Sequence, residues 1–477
     1  MEQLAGGDHL WFAIETERAP LHFVGAAIYD SSTRDGGAIG VDELAATVGR
    51  SLDRLPLRKK LVTVPWRLDR PYWVDADNFD IRDHVRERTL RPPGDRAAFL
   101  AAMTDLLEAP FDRSRPLWEM NLISDLDGID EFPKGSFAVL VRVHHGQFDG
   151  TTALRLLNAL HSDRPDAVGD VAPSSWSPER TPSGMELVLR APWNLGERLW
   201  RTVTVTRTLA PTLARRITRR RGPSRSGGAS SARSPIPRTR FSSRLASHER
   251  VFEFLHLPLD EVQEIRTAVD GATVNDVAST IAAGALRRYL QSLDELPDEP
   301  LVVMMPVSAH APDSQDEIGT RISLMTATIH TELPDPVERL RRGQRASSRS
   351  KQAGREAGVA NVADLVDLLP TNALDLAFEP LMQSGITEAV PLPFSGIALT
   401  NVPGPREPLY FDGARMVTLV GATFLVDVMG LVIAITSYCD ELLVAFTSTP
   451  EAVPDPAVLA DCFRDSFEEL RAAAALD

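Results

Sequence analysis

The sequence predicts an α/β protein built as two units with mixed or antiparallel sheets. Three observations carry this. Apolar strand-like runs alternate with segments of helical spacing, both before residue 189 and after residue 241. Each of these stretches is long enough for one hydrophobic core. Between them lies a Gly-, Ser-, Pro- and Arg-rich segment that cannot bury enough apolar surface to offset the entropy of ordering.

The elements follow in order. His22–Asp30 (HFVGAAIYD) reads as a strand. Val41–Leu52 reads as a helix opened by acidic residues, which complement the positive helix start. Arg96–Pro110 is a helix ended before its proline, and Gly135–His145 is a strongly apolar strand. In the second half, Val274–Ser292 is helical, and Pro300–Val307 and Ile322–Thr331 are strands. Gly430–Ser448 gives two strands around a turn at Asp440–Glu441, and a closing helix over Val458–Leu476 starts just past Pro456. The resulting division is 1–189, a connecting region 190–240, and 241–477.

Composition bounds the function. The 477 residues are 43% apolar and 25% charged, an ordinary globular balance. No run approaches the ~18 uncharged apolar residues of a membrane span. The opening MEQLAGGDHLWF lacks the basic and apolar regions of a secretory signal, so a cytoplasmic protein is the expectation. Two cysteines, Cys439 and Cys462, are too few for a disulfide framework or a Cys-based zinc site. The net charge of −15 argues against a general nucleic-acid binder.

That average hides an asymmetry. Residues 190–240 hold thirteen arginines and one acid, Glu197. Leu195, Leu199 and Val203, then Leu209, Leu213 and Ile217, recur at helical spacing around Pro211, and residues 219–240 read as a mobile linker. Two readings stand. One is a surface helix packed on its own domain. The other is an interfacial helix on anionic lipid, anchored by Trp193 and Trp200.

Several catalytic motifs are missing: the G-x-S-x-G elbow, the P-loop, G-x-G-x-x-G and H-E-x-x-H. His248-Glu249 has its next histidine at His256, the wrong spacing for zinc. What stands out is VRVHHGQFDGTTALRLLNALH, residues 141–161, with His144, His145, Asp149 and Gly150 in the pattern H-H-x-x-x-D-G. It lies where the apolar strand gives way to a helix, a junction that fixes side chains at a sheet edge. Histidine loses its proton near neutral pH and suits general-base work. Gly146 and Gly150 permit close backbone approach. The plain alternatives are a structural histidine pair and an Asp149 that only caps the following helix.

This motif resembles that of acyl-coenzyme A-dependent acyltransferases of the chloramphenicol-acetyltransferase type and of peptide condensation domains. Arg115–Met120 (RPLWEM), Thr273–Val277 (TVNDV) and Leu399–Pro405 (LTNVPGP) are similar to blocks of the bacterial wax ester synthase/diacylglycerol acyltransferase family. The opening LAGGDHLWFAIETERAPLHFVGA, DPVERL and SYCDELLVAFTS also fit, so the resemblance runs from about Leu4 to about Leu470. Val274 stands where the family usually has Ala, and Thr400 where it has Ser.

The resemblance implies two chloramphenicol-acetyltransferase-like domains with a tunnel between them. It implies acyl transfer from acyl-coenzyme A, a co-substrate rather than a bound cofactor, to a fatty alcohol or diacylglycerol, with no metal. His145 would be the general base, His144 would support the site, and Asp149 would orient the loop through an arginine. Gly150 would keep the channel open. Asn275, with its neighbour Asp276, and Asn401 would line the pocket, against the plainer readings of a helix cap and a turn. Gln147, Pro116, Leu117 and Trp118 would shape the channel or core. The anionic donor calls for a local arginine cluster near the tunnel mouth. Peripheral residence at the inner membrane face or on lipid inclusions is the matching expectation. The rivals are an acyltransferase for a specialised metabolite alcohol, a condensation domain, and a non-catalytic lipid-binding scaffold.

Overall fold

The computed structural model describes residues 1–53, 55–148, 150–166, 176–198, 200, 236–308, 322–357 and 394–475. A small sheet joins β1 (Glu2–Gln3), β4 (Tyr72–Asp75) and β3 (Lys59–Val62) in the order β1-β4-β3. The N-terminal six-stranded sheet draws on β2 (His22–Asp30), β5 (Val85–Glu87), β6 (Trp118–Ile123), β7 (Phe137–His144), β12 (Tyr410–Phe411) and β13 (Ala414–Ala422). Its order is β12-β13-β2-β7-β6-β5, antiparallel except for β5–β6. The second six-stranded sheet holds β8 (Val251–Pro258), β9 (Leu301–Ser308), β10 (Ile322–Ile329), β11 (Ile397–Val402), β14 (Leu431–Tyr438) and β15 (Glu441–Ser448). Its order is β10-β9-β11-β14-β15-β8, with β11 parallel to both neighbours. Both large sheets are therefore mixed.

Helices complete the layers. α1 (Gly6–Ile14), α2 (Val41–Ser51), α3 (Arg96–Glu108), α4 (Gly150–Leu160) and α5 (184–198) belong to the N-terminal half. α6 (Leu259–Ile265), α7 (Val274–Ser292), α8 (Pro336–Ala357) and α9 (Pro456–Ala474) belong to the C-terminal half. α2 and α4 cover one face of the N-terminal sheet, Leu44 and Val48 of α2 and Leu156 and Leu160 of α4 packing with Tyr29, Met120 and Phe137. α3 packs on the other face, and its Phe99, Met103 and Leu106 share a core with Phe252, Phe254, Leu443 and Ala445 of the second sheet. Burying each such side chain contributes roughly 1.5–3 kcal/mol, so α3 helps hold the halves together, beside the pairing of β13 with β2.

Several expectations shift in detail. α9 includes Pro456 instead of following it, because proline's missing N–H costs nothing in a first helical turn; Asp455 caps the helix by accepting from Ala457. The last turn falls at Cys439–Asp440, since Cys439 takes a left-handed backbone, φ 49°, and Glu441 is already in β15. α5 begins at residue 184, ahead of the expected helix, because Ser183 and Glu186 cap it reciprocally. Residues 201–235 of the expected helix and linker lie outside the described residues. The linker's last residues are part of the fold: Thr239 donates to the carbonyl of Ser395 at 3.0 Å and Arg240 pairs with Glu295 at 2.9 Å. Finally, β12 and β13 show that the N-terminal sheet takes strands from beyond residue 400.

Candidate active site

The histidine pair sits at the end of the central strands of the N-terminal sheet. β2 and β7 place His22 opposite His144, and the His144 amide donates to the carbonyl of Leu117 at 3.0 Å. The chain then reverses tightly. The amides of Gln147 and Phe148 both donate to the His144 carbonyl, at 3.0 and 3.1 Å, and α4 begins at Gly150. Glycine is required at position 146, where a β-carbon would lie 2.4 Å from the ring of Phe12. Asp149 lies outside the described residues.

The two imidazoles carry opposite tautomers. His145 Nδ1 lies 3.1 Å from the carbonyl oxygen of Phe148. A carbonyl only accepts, so Nδ1 holds the proton and Nε2 the lone pair. His145 is half-buried between the rings of Trp11 and Phe424, at centroid distances of 4.3 and 5.0 Å. Phe424 follows β13, so both halves of the chain meet at this imidazole. His144 is 1% exposed. Its Nδ1 accepts from the Gly146 amide at 2.9 Å, which puts its proton on Nε2, 3.3 Å from Glu15 Oε1. The ring lies flat on Phe12.

Behind the pair is a buried charge cluster. Glu15 faces His144 and, at 3.6 Å, His22, pairs with Arg113, and accepts from the Leu21 amide at 3.2 Å. Burial alone would raise the Glu15 pKa, but the facing His144 and His22 rings and the Arg113 charge outweigh it and hold the carboxyl far below the usual range. Burial pushes His22 down to about 4, with Arg142 adding and Glu15 opposing. Arg142, itself buried, pairs with Glu119 at 3.1 Å on the neighbouring strand.

The sequence candidates fall into two groups. Pro116, Leu117 and Trp118 are buried beside the motif. Gln147 ties this corner together: its Oε1 accepts from the Leu117 amide at 2.8 Å, and its Nε2 donates to the carbonyls of Pro56 and Lys59 at 3.0 and 3.2 Å. Trp118 Nε1–H donates to the Leu57 carbonyl at 2.7 Å. Asn275 and Asn401 form the second group and meet each other, Asn401 Nδ2 donating to Asn275 Oδ1 at 3.0 Å. Asp276 caps α7, accepting from Thr273 and from the Ser347 hydroxyl. Asn275 and Asp276 line a small cavity with Met305, Ile329, His330 and Arg339, all from the C-terminal half. No described residue of the histidine loop is among its lining.

Sequence reasoning assigned no role to Trp11, Phe12, Glu15, His22 or Phe424. The first four lie within the opening block LAGGDHLWFAIETERAPLHFVGA, whose signal is that of a block without individual parts. Phe424 carries no local signal, since only the pairing of β13 with β2 brings it to His145. Among the described residues no group of three or more His, Cys, Asp or Glu side chains is arranged to hold a metal ion.

The fold and site are those of a mixed α/β protein with a half-buried imidazole, its proton held on Nδ1, at the meeting of its two halves. Comparison with known proteins gives the class a family. Residues 4–278 match the wax ester synthase/diacylglycerol acyltransferase catalytic domain, and residues 318–471 match the C-terminal domain of the same family. A Mycobacterium tuberculosis protein named as a diacylglycerol O-acyltransferase is 31% identical over 98% of this chain and 90% of its own. An O-acyltransferase of Acinetobacter baylyi is 27% identical over 94% of this chain and 92% of its own. Among solved structures, the wax ester synthase/diacylglycerol acyltransferase of Marinobacter aquaeolei superposes with a TM-score of 0.68 at 25% identity, covering 100% of both chains. The first condensation domain of the CDA synthetase shares the fold, with a TM-score of 0.57 at 16% identity over 99% of this chain and 97% of its own. The chain belongs to the wax ester synthase/diacylglycerol acyltransferase family, and it is an acyltransferase.

Proposed function

We propose that the protein moves a fatty acyl group from acyl-coenzyme A to a long-chain alcohol, giving a wax ester, or to diacylglycerol, giving triacylglycerol. The observation that carries the reading is the His145 Nδ1–H bond to Phe148, which directs the lone pair of Nε2 to the task. That nitrogen takes the hydroxyl proton as the alcohol oxygen attacks the thioester carbonyl carbon. The carbon–sulfur bond then breaks, and the imidazolium returns the proton to the thiolate, releasing coenzyme A. Such a base contributes about 10²–10⁴-fold. His144 positions the loop, Asp149 orients it, Gly150 keeps the channel open, and Asn275 and Asn401 line the acceptor side.

The two substrates reach His145 from opposite faces, along a passage between the halves. Support comes from the partial exposure of His145 and from its two flanking aromatics, one from each half. Acyl-coenzyme A is a co-substrate, and no bound cofactor enters the reaction. The acceptor is too apolar to travel in water, so the protein works in the cytoplasm against the inner membrane face or lipid inclusions. No described helix is long and apolar enough to cross a membrane.

The test is thiol release from palmitoyl-coenzyme A with hexadecanol or dipalmitoylglycerol, with the ester identified by mass. Release should require the acceptor, and initial rates should show a ternary complex. An acylated protein trapped without acceptor would contradict direct transfer, and absence of ester from either acceptor would contradict the substrate class.

A further inference from the structure

α5 has two apolar faces, where a helix on a protein surface needs one. The inner face is covered: Leu187 packs with Val64, Tyr72 and Val74, Ala191 is buried, and Asn194 donates to Asp69 and to the Tyr72 hydroxyl, both at 2.6 Å. The outer face carries Met185, Leu189 and Trp193, spaced four apart and 63%, 73% and 80% exposed. Trp200, seven residues beyond Trp193, is also exposed.

The tip of the β3–β4 hairpin extends this stripe. A β-carbon on Gly184 would stand 3.0 Å from Pro65, so the hairpin tip lies at the start of α5. Next to Pro65, Trp66 is 78% exposed and Leu68 is also exposed. Trp66 and Arg67 both take left-handed backbone, φ 54° and 51°. That conformation is costly for a bulky residue, and folding gains little from an indole held mostly in water.

Charge identifies the occupant. In a chain of net −15, the residues that continue from this stripe are the cationic exception: thirteen arginines and one acid between 190 and 240. Arg190 is exposed on α5, while Arg180 on its approach pairs with Glu186 at 2.5 Å. Indoles and aliphatic side chains on a helix flank and a hairpin tip, beside arginines, suit an anionic lipid surface. We propose that Trp66, Met185, Leu189 and Trp193 dock the protein on an anionic phospholipid surface, from which it draws its water-insoluble acceptor. The second clause rests on the acceptor proposed above; the first does not. Continuity with the motif supports the pairing. The base of the same hairpin holds Gln147 through Pro56 and Lys59, and Trp73 of β4 meets Phe12, the ring that lies on His144.

The experiment compares the full chain with its Trp66→Asn/Met185→Ser/Leu189→Ser/Trp193→Ser variant. Asn tolerates the left-handed backbone and all four positions are exposed, so the fold should hold; equal melting temperatures check this. Each protein is sedimented with vesicles of phosphatidylcholine and phosphatidylglycerol, then assayed on a short water-soluble alcohol and on vesicle-borne diacylglycerol. The native chain should pellet, less so in high salt, and the variant's partitioning should fall by about tenfold or more. The variant should keep its rate on the soluble alcohol and lose rate on diacylglycerol. Equal pelleting, or a native chain that does not pellet, overturns the docking surface. So does a native dimer that disperses in the variant without vesicle binding, which would assign the stripe to a second copy of the chain. Lost pelleting with unchanged diacylglycerol turnover overturns acceptor delivery alone. A native chain that esterifies neither acceptor overturns the substrate reading, and pelleting still judges the surface.

Discussion

Phe12 lies flat on His144, with ring centroids 4.4 Å apart and planes 6° from parallel. Gly146 is what leaves room for that ring. Gly146→Ala should displace Phe12, destabilise the protein by about 1–3 kcal/mol and slow acyl transfer. Phe12→Leu alone should cost less, and the double variant should recover part of the Gly146→Ala loss. Thermal unfolding and thiol release on the four proteins measure the coupling; additive effects would show that the contact does not matter.

Gln147 bonds three backbone groups from two segments, at Leu117, Pro56 and Lys59. Gln147→Ala should leave the partly buried Leu117 amide without its acceptor and cost about 1–3 kcal/mol in urea unfolding. Transfer should also slow, because the same side chain fixes the loop that carries His145.

Acid should destabilise the fold. Burial holds His22 and His161 at about 4, against an ordinary 6.5. Between those values the unfolded chain binds protons that the folded one refuses, so stability falls as pH drops from 6.5 to 4 and is fully present above 6.5. Glu15 adds a loss at still lower pH, since its depressed carboxyl stays ionised in the fold while the unfolded carboxyl protonates. His161 Nδ1–H donates to the Leu157 carbonyl and its Nε2 accepts from Tyr29, so it folds neutral. His161→Gln should flatten the slope of unfolding free energy against pH in this window. An unchanged slope would show that His161 does not titrate there.

Asn275 and Asn401 stand 126 residues apart in the chain and share one hydrogen bond. If they line the acceptor side together, Asn275→Ala and Asn401→Ala should each raise KM for the alcohol more than they lower kcat, and the double variant should lose less than the sum. Unchanged KM in both would reduce the pair to a link between α7 and β11.

The sequence made the local elements legible where periodicity and punctuation agreed. β2, β7, α7 and the β14–β15 hairpin carry long apolar runs or clear helical spacing, and they lie close to where those patterns put them. The histidine loop was legible for the same reason, as a strand-to-helix junction. The aromatic and acidic setting of that loop was not. Trp11, Phe12 and Glu15 lie far up the chain, and their relation to His144 and His145 depends on β2 pairing with β7. Phe424 depends on β13 crossing from the other half of the chain to pair with β2, a contact between Ala422 and Val24 that no local pattern encodes. The docking stripe was half legible: Trp193 and Trp200 stood out beside the arginines, whereas Trp66 joins them only through the hairpin.

The central claim is that His145 takes the acceptor's proton. The most direct measurement is thiol release from palmitoyl-coenzyme A with hexadecanol, native protein against a folded His145→Ala variant. The expected result is a loss of about 10²–10⁴-fold in kcat with an unchanged melting temperature. Equal rates in the two proteins would contradict it.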